Sequence, residues 1–226
     1  NLFDLDGLES QWAVGMNISN IGGKISYTES GDDDFLPMNF KIGSRFSTKI
    51  DDYNSFAIAF DINKLLVPTP PVYAVNDNGQ PIDINGNPVQ IGSPEHHILA
   101  GMNPNVGVIQ GVFQSFSDAP GGLEEEINEL MYSVGGEYWY DNQFAFRFGY
   151  FHEHETKGNR KYFTIGSALK LNVFQIDFAY LIPANSSVRS PLENTMRFTL
   201  VFNLDQFDKE KLFQRNSQIE NNNQKR

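Results

Sequence analysis

The sequence predicts an all-β protein built as an antiparallel transmembrane β-barrel. Three observations support this fold class. Segments of about ten residues alternate apolar and polar side chains, aromatic residues gather near the ends of those segments, and connections of alternating length join them. About ten residues is also the length that a tilted strand needs to cross a bilayer.

The alternation is clearest in the second half of the chain. Phe144, Phe146 and Phe148 share one side of a predicted strand, and Ala145 and Arg147 share the other. One face of the predicted sheet is therefore apolar and the other is polar. The same pattern predicts about nine strands, which cover Trp12–Ile18, Gly23–Thr28, Met38–Phe46, Phe56–Ile62, Tyr132–Tyr140, Phe144–Tyr150, Phe163–Leu171, Phe174–Tyr180 and Met196–Asn203.

Composition excludes several other classes. The mean hydropathy of -0.39 does not argue against a membrane barrel, because strands that alternate lipid-facing and lumen-facing residues keep the average low. The net charge of -11 argues against nucleic-acid binding, which needs clustered Lys and Arg. The absence of cysteine excludes a disulfide scaffold and a thiolate metal site.

The connections predict the orientation of the strands. Short connections are expected at Asn20–Ile21, Asp51–Asp52, Asp141–Asn142 and Leu171–Asn172. In outer-membrane barrels short turns are periplasmic and long loops face outward, so the C-terminus should be periplasmic. Beyond the barrel part, 1–204, the polar tail 205–226 is expected to be mobile.

An odd number of strands does not close a single-chain bacterial barrel, so we expect further strands and a signal peptide upstream of residue 1. A spanning strand at His96–Met102 is the alternative, and it would invert the parity of the strands before it.

The longest loop, Leu65 to Leu130, should have structure of its own. Asn78-Gly-Gln-Pro and Asn85-Gly-Asn-Pro are turn signals in near-repeat, which predict a small hairpin over Val75–Ile91. Short helices are predicted over Gly107–Phe116 and Leu123–Met131, with three glutamates in the first turn of the second helix.

Charged residues opposite the apolar positions should line the barrel lumen. They are either a polar conduit or a structural network of ion pairs, in which Glu137 and Arg147 would be neighbours on adjacent strands. The predicted lumen-lining residues are Lys41, Arg45, Asp61, Glu137, Arg147, Asp177 and Arg197.

Aromatic residues near strand ends predict the two interfacial girdles of a membrane barrel. A soluble β-sandwich is the competing interpretation, but it would have to bury several lumenal charges or expose many phenylalanines. The predicted girdle residues are Trp12, Tyr132, Tyr138, Tyr140, Tyr150, Tyr162 and Tyr180.

No motif in the sequence predicts catalysis, a cofactor or a metal. His152 and His154 share a strand face, yet two imidazoles without a third ligand make a weak metal signal. Asp77-Asn-Gly and Asp83-Ile-Asn-Gly resemble parts of calcium loops without the final bidentate Glu, and turn chemistry explains them.

Five segments resemble the PorV family of the type IX secretion system, relatives of the FadL-type transporters. The likeness covers roughly Ser55 to Leu204, and upstream there is only the strand pattern. The segments are Phe60–Pro68, Gln114–Gly122, Gly136–Phe144, Gly149–Phe163 and Asn194–Leu200.

The resemblance implies a FadL-like barrel of fourteen strands with an N-terminal plug, of which this chain supplies the C-terminal part. It also implies a place in the outer membrane, in contact with the lipid bilayer and lipopolysaccharide. The implied partners are a large secretion pore, cargo proteins with C-terminal signal domains and the surface attachment machinery. No catalytic residue is implied.

A long outer loop with exposed helices suits docking to a protein, so we predict a partner-binding surface over Gly107–Leu130. The alternative is a FadL-like channel for small hydrophobic molecules. The candidate partner-binding residues are Val112, Phe113, Phe116, Asp118, Leu123 and Glu126.

Overall fold

The computed structural model describes residues 2–5, 7–26, 33–184 and 195–203 of the chain. Within them the helices are α1 (Val108–Gln114) and α2 (Leu123–Asn128). The strands are β1 (Leu2–Leu5), β2 (Leu8–Ser19), β3 (Lys24–Ile25), β4 (Asp34–Phe35), β5 (Asn39–Lys49), β6 (Asn54–Leu65), β7 (Val72–Tyr73), β8 (Ile98–Ala100), β9 (Met131–Tyr140), β10 (Phe144–His152), β11 (Lys161–Lys170), β12 (Phe174–Pro183) and β13 (Met196–Phe202).

One antiparallel sheet of nine strands dominates the fold, in the order β1-β2-β5-β6-β9-β10-β11-β12-β13. This confirms the predicted antiparallel all-β class. Among the described residues the sheet is open, with β1 and β13 at its edges. Closure into a barrel and a total of fourteen strands therefore stay predictions, and the polar tail 205–226 lies outside the described residues.

Strand pairing keeps the apolar positions in register across the sheet. Phe148 of β10 lies opposite Gly136 of β9 and Ile165 of β11, and Phe146 lies opposite Tyr138 and Ser167. Because side chains alternate along every strand, this register collects the large apolar residues on one face. That face is uncovered: Phe146 is 64% exposed and Phe148 is 55% exposed.

Aromatic side chains lie near both ends of the apolar face. Tyr138 and Tyr140 are close to the turn between β9 and β10, whereas Tyr132 and Tyr150 lie at the opposite end of the same strands. At roughly 3.4 Å per residue, Tyr132 and Tyr140 are about 27 Å apart along β9, close to the height of the apolar band of a membrane barrel.

Tyr162 is an exception to the predicted aromatic girdles. It pairs with Phe151 of β10, and both belong to the polar face, where their rings stack at 4.8 Å. The strand alternation explains the placement, since Phe163 takes the apolar position next to it. Tyr162 is therefore not a girdle residue, although it does lie near a strand end.

The connections of the large sheet alternate strictly between short and long. The short ones, 6–7, 50–53, 141–143 and 171–173, lie at one end, and the long ones, 20–38, 66–130, 153–160 and 184–195, lie at the other. The last strand, β13, therefore runs from the long-connection end to the short-turn end.

The predicted strand Gly23–Thr28 and the predicted short connection Asn20–Ile21 are wrong. The described residues of Gly23–Thr28 do not enter the large sheet, because β3 covers Lys24–Ile25 and pairs with β4 in a small ribbon. Residues 27 and 28 lie outside the described part of the chain. Asn20 has a φ of 57°, and its side-chain amide donates a hydrogen bond to the carbonyl of Pro37 at 3.1 Å. This bond ties the end of β2 to the start of β5, so the chain between them forms a long connection.

The other eight predicted strands correspond to β2, β5, β6 and β9–β13, and the ninth member of the sheet is β1, which the sequence did not predict. The predicted strand at His96–Met102 does not span the sheet. Its residues contribute β8, which is three residues long and pairs with β7. No helix among the described residues is long and apolar enough to cross a membrane.

The near-repeat in the longest connection forms two successive closed loops where a single hairpin was predicted. Bridges join Val75 to Pro81 and Ile82 to Pro88. In the first loop the side chain of Asn76 accepts hydrogen bonds from the backbone of Asn78 and Gln80, and Asp83 does the same for Asn85 and Asn87 in the second. Turn chemistry therefore accounts for these residues.

Arginine substitutions at two depths should show whether lipid covers the apolar face. Phe148 is at the middle of β10 and Phe144 at its short-turn end. In lipid vesicles we expect Phe148→Arg to lower the free energy of unfolding by about 1–4 kcal/mol more than Phe144→Arg, because a charge at the bilayer midplane is far more costly than one near the interface. Denaturant titration of the refolded protein measures both.

The two variants lose the same ring, so the difference isolates the depth of the charge. Equal losses would contradict a bilayer over this face and would favour a covering protein layer.

Candidate functional site

The polar face of the sheet carries a chain of ion pairs, which we call the charge belt: Arg45, Glu137, Arg147 and Asp177. Arg147 Nε lies 2.7 Å from Glu137 Oε2, and Arg147 Nη1 lies 2.5 Å from Asp177 Oδ1. Arg45 Nη2 reaches the other oxygen of Glu137 at 3.0 Å. The predicted pairing of Glu137 with Arg147 is confirmed, and it extends from β5 to β12.

Small residues on the intervening strands allow these side chains to lie across the sheet. Ala59 on β6 is opposite Arg45, and Gly166 on β11 is opposite Arg147. A β-carbon at Gly166 would lie 2.9 Å from the carbonyl oxygen of Phe178, so this position has no room for a larger residue. The belt therefore depends on side-chain size as much as on charge.

The remaining predicted lumen-lining residues lie on the same face. Lys41 Nζ is 2.8 Å from Asp61 Oδ2, and a β-carbon at Gly43 would collide with Asp61. Arg197, on the edge strand β13, is opposite Ala179. The structure thus brings six of the seven residues into two ion-paired groups, as the structural-network interpretation predicts.

Residues 66–130, which we call the cap, present apolar side chains to solvent. In α1, Ile109 and Phe113 are four residues apart and share one face, with exposures of 76% and 73%. Phe116 continues this stripe just past the helix, and Leu123 and Ile127 form a similar pair in α2. We call these five residues the α1–α2 surface.

The inner side of the same segment is small or polar. Gly111 packs so closely that a β-carbon there would lie 2.6 Å from the ring of Phe35 and 3.0 Å from Pro68. Ser115 and Asp118 are fully buried, and Ala119 is nearly so. The usual arrangement of a surface helix, apolar inside and polar outside, is reversed here.

A cluster of charges anchors the cap to the end of β6. Lys64 Nζ, from a side chain only 4% exposed, lies 2.6 Å from Glu129 Oε2 and 3.0 Å from Glu126 Oε2. Lys157, in the connection between β10 and β11, lies 2.6 Å from Glu125 Oε1 and 3.0 Å from Glu129 Oε1. The cap is therefore joined to two other parts of the chain.

Hydrogen bonds keep the central groups of this cluster charged. Burial alone raises the pKa of Glu129, but donors on Lys64, Thr69 and Lys157 outweigh it and hold that pKa below the ordinary value. Burial lowers the pKa of Lys157, and its contacts with Glu125 and Glu129 more than reverse this. Two ionised partners in a part-buried site bind more strongly than an exposed pair.

The predicted partner-binding residues divide into two groups. Phe113, Phe116 and Leu123 are exposed, and Val112 is half-buried. Asp118 is fully buried, and Glu126 uses Oε1 to accept a hydrogen bond from the backbone N–H of Ala119. The last two therefore hold the cap together from inside and are not placed to touch a partner.

Sequence reasoning missed two apolar residues of the cap, Ile109 and Ile127, and the two lysines that anchor the cap, Lys64 and Lys157. Ile109 and Ile127 have helical spacing to Phe113 and Leu123, so they were open to detection. Lys64 also carried a signal, because it takes an apolar position of β6 two residues after Ile62. Lys157 gave none, since its partners are 28 and 32 residues away in the chain.

The histidine pair does not form a metal site in the part of the chain that the structure describes. His152 Nδ1 is 3.4 Å from the hydroxyl of Tyr150, and His154 Nδ1 is 2.9 Å from Thr156 Oγ1. Glu153, between them, pairs with Arg160 at 2.7 Å. No group of three potential ligands occurs among the described residues.

A cavity of about 420 Å³ lies where the cap meets the end of the sheet. Its wall includes the apolar side chains of Leu65, Val67, Pro68, Pro70 and Met131. Thr69, Glu129, Glu153, Lys157 and Arg160 supply its polar part, and all five are already engaged in hydrogen bonds or ion pairs.

These surfaces define a class: a β-rich protein whose large antiparallel sheet, uncovered and apolar on one face and ion-paired on the other, is compatible with the wall of a membrane barrel. The model of the family described as Type IX secretion system protein PorV matches residues 3–72 of the chain. This confirms the resemblance and supports a component of the type IX secretion system. No individual curated protein matches the chain.

The family match and the earlier resemblance rest largely on different residues. The match spans β1 to the start of β7, where the sequence had offered only a strand pattern, and the two stretches overlap over 55–72. The matched family is that of a secretion-system component, and not of an enzyme.

Removing the central cation of the charge belt should destabilise the sheet. We expect Arg147→Met to lower the free energy of unfolding by about 1–3 kcal/mol, because it leaves Glu137 and Asp177 half-buried without their shared partner. Lys41→Met is the matched control. Its pair with Asp61 is more exposed, so it should cost less than about 1 kcal/mol.

Denaturant titration in lipid vesicles compares the two variants. A loss for Arg147→Met no greater than that for Lys41→Met would mean that the belt does not stabilise the fold.

Proposed function

We propose that this protein is an outer-membrane component of the type IX secretion system that docks with the large secretion pore. In this role it receives cargo proteins by their C-terminal signal domains and passes them to the surface attachment machinery. The family match supports the assignment to the system. The observation that carries the docking role is the α1–α2 surface, five large apolar side chains on a cap held rigidly by ion pairs.

The proposed orientation follows from the connections. Long connections lie at one end of the sheet and short turns at the other, as in outer-membrane barrels, so the cap faces outward and β13 ends in the periplasm. Lipid and lipopolysaccharide would surround the apolar face, between the two bands of aromatic side chains. The open edges at β1 and β13 are where the further strands of a fourteen-stranded barrel would pair.

The exposure of the α1–α2 surface is costly unless a partner covers it. Each fully buried Phe, Leu or Ile side chain gains about 1.5–3 kcal/mol over an exposed one, and the five residues are at least half exposed. The reversed polarity shows that packing within the cap does not demand apolar residues there, because its inner positions are Gly111, Ser115 and Ala119. Exposed apolar patches of this kind commonly mark protein interfaces.

The second candidate is a FadL-like channel for small hydrophobic molecules. The cavity beneath the cap favours it, because its volume falls in the range of about 300–1,000 Å³ that is usual for ligand sites. The charge belt argues against it, since an apolar solute that crossed the lumen would have to pass Glu137, Arg147 and Asp177. Docking is therefore the better-supported function.

Polar substitution of the α1–α2 surface should abolish docking without harming the barrel. We expect the double variant Ile109→Ser, Phe113→Ser to lose co-purification with the secretion pore, because it removes the two most exposed apolar side chains of α1. Ile84→Ser, Ile91→Ser is the matched control. These residues are 77% and 83% exposed, but Ile84 lies in the second closed loop of the cap and Ile91 three residues after it, so their loss should leave co-purification unchanged.

Heat-modifiable migration of both double variants monitors correct insertion. If both double variants co-purify with the pore as well as the wild type does, the docking surface is refuted. If both lose the pore to the same extent, apolar exposure in general, rather than α1, is responsible.

Filling the cavity separates the two candidate functions. Val67→Trp should occupy the space beneath the cap without touching the α1–α2 surface. Under the docking proposal, secretion of cargo and co-purification with the pore are unchanged. Reduced uptake of a labelled long-chain fatty acid, with secretion intact, would favour the channel.

A further inference from the structure

One carboxyl group of the cap is completely enclosed and only half satisfied. Asp118 has no exposed surface, and its Oδ2 accepts a hydrogen bond from the backbone N–H of Thr69 at 3.1 Å. Its Oδ1 is also buried and accepts no hydrogen bond from any residue that the structure describes. An ionised carboxylate is costly in such a place, whereas a neutral acid is far less so.

The charged groups around Asp118 do not compensate it. From α2, Glu126 faces it with the same sign of charge, and both Glu126 and Glu129 are bound to Lys64 from the end of β6. From the connection between β10 and β11, Lys157 is occupied by Glu125 and Glu129. Within the part of the chain that the structure describes, two lysines thus bind three glutamates, and neither lysine is paired with Asp118.

The hydrogen bond between Asp118 and Thr69 joins two segments of the cap that are far apart in the sequence. Thr69 lies just after β6, and Asp118 lies between α1 and α2, so this contact joins the start of the cap to the segment that bears the α1–α2 surface. Asp118 also contributes its backbone oxygen to the tight packing around Gly101, where a β-carbon would lie 3.1 Å from it. Any movement that exposes Asp118 to water must therefore separate these segments.

We propose that Asp118 is a proton-operated latch, which holds the α1–α2 surface in place when its carboxyl group is protonated and loosens the cap when it is ionised. The latch is a property of the cap alone. Its consequence for secretion, a docking surface that is regulated by the proton concentration outside the cell, rests on the proposed function.

The direction of the pH dependence follows from the environment of each group. Burial raises the pKa of Asp118, and the charge of Glu126 adds to the rise, whereas the interactions of the carboxyl group with Thr69 and with the side chain of Gln114 oppose it. A group whose pKa is raised by folding stabilises the folded state at low pH, and this contribution is lost as the pH rises through the folded pKa. The cap should therefore close more firmly on mild acidification.

The contribution of Glu129 to the stability of the cap has the opposite pH dependence. Burial favours its neutral form, but Lys64, Thr69 and Lys157 hold its pKa below the ordinary value. Its contribution is present above the unfolded pKa and is lost as the pH falls through the folded pKa. The cap should thus be most firmly closed at a mildly acidic pH and should open again in strong acid.

Hydrogen exchange of the full-length protein in detergent micelles tests the latch. Protection factors of residues 108–128, corrected for the intrinsic pH dependence of exchange, should rise as the pH is lowered from about pH 8 to about pH 5, because protonation of Asp118 then favours the closed cap. Asp118→Asn keeps the shape and the acceptor for Thr69 but cannot ionise. Its cap should be protected at both pH values alike.

Asp51→Asn is the matched control, because Asp51 lies in the short turn between β5 and β6, at the opposite end of the sheet. It should keep the wild-type pH dependence. Glu129→Gln should reduce protection of 108–128 at about pH 8, which checks the cluster even if Asp118→Asn folds poorly. An unchanged pH dependence in Asp118→Asn, or its absence in the wild type, would overturn the latch.

Failure of the latch and failure of the docking role give different results. If exchange responds to Asp118→Asn as expected, but Ile109→Ser, Phe113→Ser still co-purifies with the pore, the latch stands and the docking role falls. If Asp118→Asn leaves the pH dependence of exchange unchanged, but the double variant no longer co-purifies with the pore, only the latch is refuted.

Discussion

The register of nine antiparallel strands is the constraint on which the rest of the structure depends. Side chains alternate between the two faces of every strand, so one register error would carry a whole strand's phenylalanines to the polar face. With the register kept, the apolar residues form one continuous surface, and the ionisable groups of the other face come within bonding distance. The charge belt is a consequence of this alignment, because Glu137 and Arg147 meet only as direct partners in the pairing of β9 with β10.

The charge belt depends on the size of the neighbouring side chains as well as on the strand register. The belt crosses β6 and β11 without a charged residue from either strand, and it does so because alanine and glycine occupy the crossing points. In the cap the same principle works at Gly111, where the absence of a side chain lets α1 rest on Phe35 and Pro68. The small residues on the inner side leave the large ones of α1 facing outward, and this reversal supports the proposed docking surface.

The sequence predicted most of the sheet because alternation with a period of two is a local signal. It failed where a few residues override that signal. Gly23–Thr28 alternates like a strand, but its described residues lie in the connection between β2 and β5, whose two ends are joined by the hydrogen bond from Asn20 to Pro37. β1 has only four residues, which are too few to show an alternating pattern. Tyr162 was assigned to the girdle because it lies near a strand end, but its position in the alternation of β11 puts it on the polar face.

The candidate sites were predictable to a similar degree. The exposure of Phe113, Phe116 and Leu123 followed from their place in a long loop with predicted helices, and the charges of the polar face followed from strand parity. The roles of Asp118 and Glu126 did not follow, because charged residues of a loop are expected at its surface and the contacts that enclose these two come from residues at least seven positions away. Only the tertiary structure shows which charges of the cap face inward.

The two closed loops at Val75–Pro81 and Ile82–Pro88 have a consequence for how such a cap can vary in length. Each unit of seven residues is completed by its own bridge and its own turn, and the bond from Ile82 N–H to the carbonyl of Ala74 recurs seven residues later between Val89 and Pro81. A unit that begins and ends at equivalent points acts as a modular spacer. Related chains could gain or lose one such module and still hold both helices in the same place, so the natural step of size variation here is a whole module.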